Sequence, residues 1–360
     1  MKQGLQINQL QSEIEAESAG RADFVTPFEA MQFSWQDIGS ASRVPQVVVS
    51  SPSMGKHTMS RYARNQAAAH VGIGARVSDH LLDMDPELWV HNMNKLARHE
   101  SCRGEKLVRT NARGARAMLS PSYAVIDNAP ILSTALESLA DIGCTDVGSC
   151  HLGDTMYLKA MFPSKLADVR PGDAVQAGLM LRNSEIGGGS ITVRGFIYRL
   201  VCTNGMTVMD QGDQFFKRIH AGRRVDTFLP DGRVDPSFYT PAITATQDSL
   251  QQAIAEIGDG GFLATVNRMR KAAESTEIAD PESAMKALRR DMGGLNRAMT
   301  DDFMERLIRD GDMTQYGLMN AITNAANDAD SYEQATQWEE LGGRVLTLNS
   351  NQWHRIANAA

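Results

Sequence analysis

Long apolar runs are missing from this chain. No stretch approaches the roughly 20 residues that cross a bilayer. The opening residues, Met1-Lys2-Gln3-Gly4-Leu5-Gln6, lack the apolar centre of a secretion signal, so the expected location is the cytoplasm. Cysteine is scarce, with four thiols at Cys102, Cys144, Cys150 and Cys202. That excludes a disulfide scaffold and predicts reduced thiols. Cys144, Cys150 and His151 lie close together, but their spacing is not that of a zinc finger or ribbon. No metal and no other cofactor is expected. Catalytic signatures are absent as well: there is no P-loop, no His-Glu-x-x-His helix and no Gly-x-Ser-x-Gly elbow. Gly187-Gly188-Gly189 joins two strands and not a strand to a helix, so it is no phosphate cradle. The expectation is a non-catalytic protein.

What is present is an ordinary globular composition, 42% hydrophobic and 22% charged over 360 residues. That length accommodates one large domain or two ordinary ones with ample core. The net charge of −7 excludes coating of nucleic acid by bulk charge. Its distribution is uneven. Residues 247–360 hold 18 acidic against 11 basic side chains, the whole of the excess, and residues 1–246 hold 25 of each sign. The neutral segment contains a pair of locally basic stretches. One contains Arg98, Arg103, Lys106, Arg109, Arg113 and Arg116; the other contains Arg194, Arg199, Lys217, Arg218, Arg223 and Arg224.

The densest β signal runs from Ala174 to Met209. Two apolar runs flank the glycines as a hairpin, and Met206-Thr207-Val208-Met209 follows the Asn204-Gly205 turn. Side chains alternate along a strand, so Ile191, Val193, Gly195, Ile197 and Val201 share one face. Thr192, Arg194, Phe196, Tyr198, Leu200 and Cys202 share the other. Rings interleaved with arginine are what single-stranded nucleic acid uses, with bases on rings and phosphates on guanidinium groups. Packing of Phe196 and Tyr198 under a helix, with Arg194 at the rim, is the alternative, since aromatics in strands are usually core.

Elsewhere the periodicity predicts a weakly patterned N-terminal arm (1–43), an α+β core domain (44–241) and a helical C-terminal region (242–360). Val47-Val48-Val49 reads as a strand, and Thr58 to Val71 as a helix. Asp85 caps a helix with Pro86 at its first position. Strands are expected over 103–111, 114–119 and 154–162, the last closed by Pro163. A helix is expected over 131–142, then one after Met209 through Phe215 to His220, and a last short strand at Val345-Leu346-Thr347-Leu348. The fold class is α+β: a central antiparallel sheet with a β-β-β-α core, flanking helices and the helical C-terminal region.

Several segments together resemble a known family. They are Arg116-Ala117-Met118-Leu119-Ser120-Pro121-Ser122-Tyr123, Val125-Ile126-Asp127-Asn128, Leu181-Arg182-Asn183-Ser184-Glu185, and Tyr198-Arg199-Leu200-Val201-Cys202-Thr203-Asn204-Gly205. To these are added His220-Ala221-Gly222 and Tyr316-Gly317-Leu318-Met319-Asn320-Ala321-Ile322-Thr323. The chain is similar to the phage- and plasmid-encoded family called domain of unknown function 932, from about Ala63 to Leu348. The resemblance implies a mobile-element origin and a bacterial cytoplasmic setting, and no settled activity. The order of three strands and a helix is similar to the core of ring-forming single-strand annealing proteins, a likeness of fold alone.

The expected function is binding or annealing of single-stranded DNA by a homo-oligomer. Arg194, Phe196 and Tyr198 would form the stacking face, and Arg113, Arg116, Lys217, Arg218, Arg223 and Arg224 the backbone track. The acidic helices would pack between subunits or meet a host or phage protein. The alternative is a phage protein that binds a host defence or replication factor without touching nucleic acid.

Overall fold

The computed structural model describes residues 2–36, 46–144, 146–200, 204–207, 214–256 and 259–359. The stretch expected to be an arm opens with helix α1 (Ile7–Ser18) and strands β1 (Ala22–Pro27) and β2 (Gln32–Gln36). It is built into the molecule: Leu10 and Ile14 of α1 are buried, and Ala22–Pro27 pairs antiparallel with the strand at Glu105–Asn111. Strands β3 (Gln46–Ser51) and β4 (Gly55–Thr58) precede helices α2 (Arg61–His70), α3 (Ala75–Met84) and α4 (Pro86–Ala97). Asp85 caps α4 by accepting from the Leu88 amide, and Pro86 fills the first turn, where a missing N–H leaves nothing unpaired. Strands β5 (Glu105–Asn111) and β6 (Gly114–Leu119) follow, then α5 (Asn128–Asp141).

The principal sheet comes next: β7 (Asp146–Leu152), β8 (Met156–Asp168), β9 (Ala174–Asn183), β10 (Ile191–Arg199), β11 (Asn204–Thr207) and β12 (Gln214–Arg218). Its order is β11-β10-β9-β8-β7, with β12 pairing with the other half of β10. Sheets β1-β5-β6 and β2-β3-β4 complete the described strands, all antiparallel. The fold is therefore α+β. Two local expectations change here. Where a helix is expected through Phe215 to His220, Gln214–Arg218 is an edge strand, because the open hydrogen-bonding edge of Ile191–Arg194 takes it up. Pro163 does not end β8; it sits inside a register irregularity between Met161 and Leu166, where no ladder N–H is needed. Cys202, Thr203, Val208, Met209 and the boundary at residues 43–44 lie outside the described residues.

The C-terminal helices follow: α6 (Thr240–Ala255), α7 (Asp259–Ala273), α8 (Pro281–Met292), α9 (Arg297–Asp310), α10 (Gln315–Ala325) and α11 (Tyr332–Leu346), with α12 (Ser350–Ala357) last. Helix α11 absorbs Val345 and Leu346, where a strand is expected from the sequence; both point into the helical core. The principal sheet is the middle layer. Leu158, Leu179, Leu181, Ile191 and Val193 on one face pack against α1, α5 and α6. Tyr157, Lys159, Met161, Met180 and Phe196 on the other lie under Tyr332 of α11. The C-terminal core also takes in Val175 and Ile197 of the sheet, so these helices share its packing. Arg199 holds Asp173 at 2.5 and 2.9 Å, and Tyr316 of α10 donates to the same carboxylate at 2.8 Å. No described helix is long and apolar enough to cross a membrane.

Candidate nucleic-acid interface

Segments far apart in sequence meet at one buried polar hub. Arg109, in the middle of β5, is 3% exposed. Its Nε donates to Asp23 at 3.0 Å, one terminal nitrogen to the Glu185 carbonyl at 2.8 Å, and the other to Asp127 at 2.8 Å. Glu185, just past β9, is also buried. It accepts from Arg21 at 2.8 and 2.9 Å, from Arg116 at 2.9 Å and from the Asn128 amide at the start of α5 at 2.8 Å. Asn183 donates to Asn128 at 2.8 Å, and the Tyr123 hydroxyl to the Ser184 carbonyl at 2.8 Å. Tyr123 stacks on His220 with centroids 4.8 Å apart and planes 3° from parallel. The segments around Arg116, Tyr123, Asp127, Asn183 and His220 thus form one contiguous structure.

Burial sets the electrostatics of the hub. It pushes the Asp23 carboxyl above its ordinary value, and Arg109 only partly opposes this. Burial also pushes Asp127 up, but Arg109 and Arg21 more than reverse it, so that carboxyl titrates below its ordinary value. Each carboxylate already faces a guanidinium. The hub is a lock between the β1-β5-β6 sheet, the end of β9 and α5.

The nine expected interface residues divide among four places. Arg194, Phe196 and Tyr198 do share a face of β10, as alternation requires, but α11 lies on it. Phe196 is 1% exposed, with the Lys159 Nζ 5.3 Å from its ring centroid. Tyr198 packs half-buried against the same cluster, and Arg194 pairs with Glu340 of α11 at 3.2 Å. This corrects the stacking-face expectation: the rings are core, in line with the packing alternative, because the Tyr332 end and the carboxylates of α11 match this mixed face. Arg116 belongs to the hub, whereas Arg113 sits at the exposed β5–β6 turn.

Lys217, Arg218, Arg223 and Arg224 remain. They belong to an extended strap that leaves β12 and runs along residues 121–124. The His220 carbonyl accepts from the Ala124 amide at 3.2 Å, Gly222 N–H donates to Ser122 at 2.9 Å, and Val225 N–H to Pro121 at 3.0 Å. Arg224 pairs with Glu105, and Arg223 lies 4.9 Å over the Phe238 ring. Among the described residues no carboxylate is within ion-pair distance of Lys217, Arg218 or Arg223. Two large apolar side chains flank these cations in the open: Ile219, 61% exposed, and Phe228, 46% exposed.

Among the described residues the cysteines show no ligand geometry. Cys144 and Cys150 are buried, and burial raises the Cys150 thiol to about 12. His151 stacks on Tyr332 at 4.7 Å. Among the described residues no three His, Cys, Asp or Glu side chains are grouped to hold a metal. Sequence reading missed the hub, although polar Asn183-Ser184-Glu185 ending an apolar strand was a signal of buried polar partners.

Residues 116–338, well over half of the chain, match a family model described as Domain of unknown function (DUF932). No curated protein and no solved structure matches the chain.

Proposed function

We propose that this chain, which belongs to the family described as Domain of unknown function (DUF932), binds single-stranded nucleic acid along the strap from Lys217 to Arg224. The observation that carries this reading is the concentration of four cationic side chains in the eight residues from the end of β12 onward, with Lys217, Arg223 and Arg224 exposed and Arg218 half-buried. Extended chain spaces alternate side chains about 7 Å apart, close to the phosphate spacing of a stretched single strand. Ile219 and Phe228 offer apolar surface to unstacked bases, which sequence-tolerant binders use alongside backbone contacts. The chemistry is association without bond-making: guanidinium and ammonium groups replace counterions at phosphates. The setting we infer from the family resemblance is replication or recombination of a mobile element, with annealing as the operation and self-association as its means.

Fluorescence anisotropy with a labelled single-stranded oligonucleotide tests this. Binding at low salt, lost in Arg218→Ala/Arg223→Ala, is the expected result. An oligonucleotide that does not bind, or that binds equally to the double variant, refutes it.

A second reading, docking of a protein, draws on α3 and α4, where Val77, Met84 and Leu88 are exposed at 55, 72 and 43%. Asp83, Asp85 and Glu87 beside them favour a basic partner. Nuclease treatment of a pull-down separates the two readings, since a nucleic-acid bridge would vanish.

A further inference from the structure

Beside the hub a cleft of about 400 Å³ opens between the end of α1, the β3–β4 pair, the β5–β6 turn and the Gly153-Asp154 loop. This lies within the roughly 300–1,000 Å³ of small-molecule sites. Two arginines reach it from one strand, Arg113 at the turn and Arg116 three residues on. Their backbone is clamped. The Thr58 hydroxyl donates to the Arg113 carbonyl at 2.9 Å, and the Ser60 hydroxyl to the Arg116 carbonyl at 3.0 Å. Arg113 N–H donates to the Asn111 side chain at 2.9 Å. Gly114 between them has φ 121°, and a Cβ there would sit 2.3 Å from the Thr58 carbonyl oxygen. Only glycine fits, so the arginine pair is presented on a fixed turn.

One carboxylate stands between the two guanidinium groups. Glu17, near the end of α1, lies 3.6 Å from Arg113 and 3.3 Å from Arg116. Both separations exceed the roughly 2.7–2.9 Å of a good charge-assisted bond. Arg116 makes such a bond elsewhere, to Glu185 at 2.9 Å. Charge balance points the same way. Arg21, Arg109, Arg113 and Arg116 face Asp23, Asp127, Glu185 and Glu17, four against four. The charged groups that line the cleft itself are Arg113 and Arg116 against Glu17 and Asp154, so turning Glu17 out leaves one positive charge in that lining. Asp154 on the opposite lip disfavours a second anionic group there.

We infer that this cleft binds a phosphate monoester with a neutral, hydroxyl-bearing body, of nucleoside monophosphate size, and that Glu17 holds the phosphate position until the ligand displaces it. The phosphate bridges Arg113 and Arg116; the body lies toward Asp154, which accepts from its hydroxyls. This site does not depend on the strap.

Isothermal titration with adenosine monophosphate tests it, with adenosine and inorganic phosphate as comparison arms. Glu17→Gln removes the competing charge at constant shape. It should tighten adenosine monophosphate binding about tenfold, the worth of two weak surface pairs. Arg113→Ala, whose side chain is 71% exposed and outside the core, should abolish binding in both backgrounds. Arg218→Ala/Arg223→Ala should leave it intact, so failure of the strap reading and failure of this one are told apart. Any one of three results overturns the inference. These are affinity unchanged or weakened in Glu17→Gln, adenosine binding as well as its monophosphate, and inorganic phosphate binding as tightly as the ester.

Discussion

Replacing Glu339 tests whether α11 truly seals the mixed face of the principal sheet. Lys159 and Glu339 are both 0% exposed, and Nζ lies 2.5 Å from one carboxylate oxygen. Lys159 is enclosed by rings, 5.3 Å from the Phe196 centroid and 4.8 Å from that of Tyr332. Burial alone would lower its pKa; the Glu339 carboxylate outweighs this and the net direction is up. Glu339→Ala strands the ammonium, and breaking a buried pair this way costs about 3–5 kcal/mol. At roughly 2.1 cal/mol/K per residue, 360 residues unfolding together change by about 0.8 kcal/mol per degree. The expected drop in Tm is therefore about 4–7 °C by calorimetry, with a matching shift of the urea midpoint. Removing both charges, as Lys159→Met/Glu339→Leu, should recover most of that loss, because an apolar pair of similar volume leaves nothing unsatisfied. A Glu339→Ala protein within about 0.5 kcal/mol of wild type would refute the reasoning, for it would mean that water reaches Lys159 and that α11 is not a fixed cover.

Three further outcomes follow from other contacts. Phe196→Ala should destabilise by about 3–5 kcal/mol in urea melts while oligonucleotide affinity of the folded protein stays unchanged, since the ring is core and not platform. If phosphates meet all four strap cations, the slope of log K against log salt is about −2.8, so raising salt from 50 to 200 mM weakens binding roughly 50-fold; Arg218→Ala/Arg223→Ala would halve the slope in any residual binding. Burial holds the His220 pKa below its ordinary 6.5, with the Ala124 carbonyl only partly offsetting this. A histidine kept neutral by folding stabilises above that value and loses the contribution as pH falls below it. Stability should therefore decline below about pH 6.5, and His220→Phe should flatten that decline in pH-dependent melts.

The hub gives the strap its firmness. His220 and Gly222 are tied to residues 122–124, Tyr123 to Ser184, and Glu185 to three arginines and the α5 amide. Arg116→Ala should accordingly cost stability, about 1–3 kcal/mol for a lost charged partner, whereas Arg113→Ala should not. The two residues look equivalent on a charge plot and differ because one carboxylate, Glu185, is buried beside only one of them.

Local chemistry was enough for the elements whose cause is local. Gly114–Leu119, the β9–β10 hairpin and the Asp85-Pro86 start of α4 follow from alternation, positive-φ turn residues and capping, which act over a few residues. The α+β class and the helical C-terminal region follow from the same periodicities. Tertiary structure alone decided the rest. Gln214–Arg218 became a strand because β10 had an open edge, and Ala22–Pro27 became one because β5 did; a backbone partner is invisible in the segment it recruits. The same holds for function. Alternation put Arg194, Phe196 and Tyr198 on one face, but whether that face meets solvent depended on α11, whose Tyr332 lies 134 residues beyond Tyr198. Burial is a property of the packed molecule, and it moved the candidate interface from the rings of the sheet to the cations of its edge.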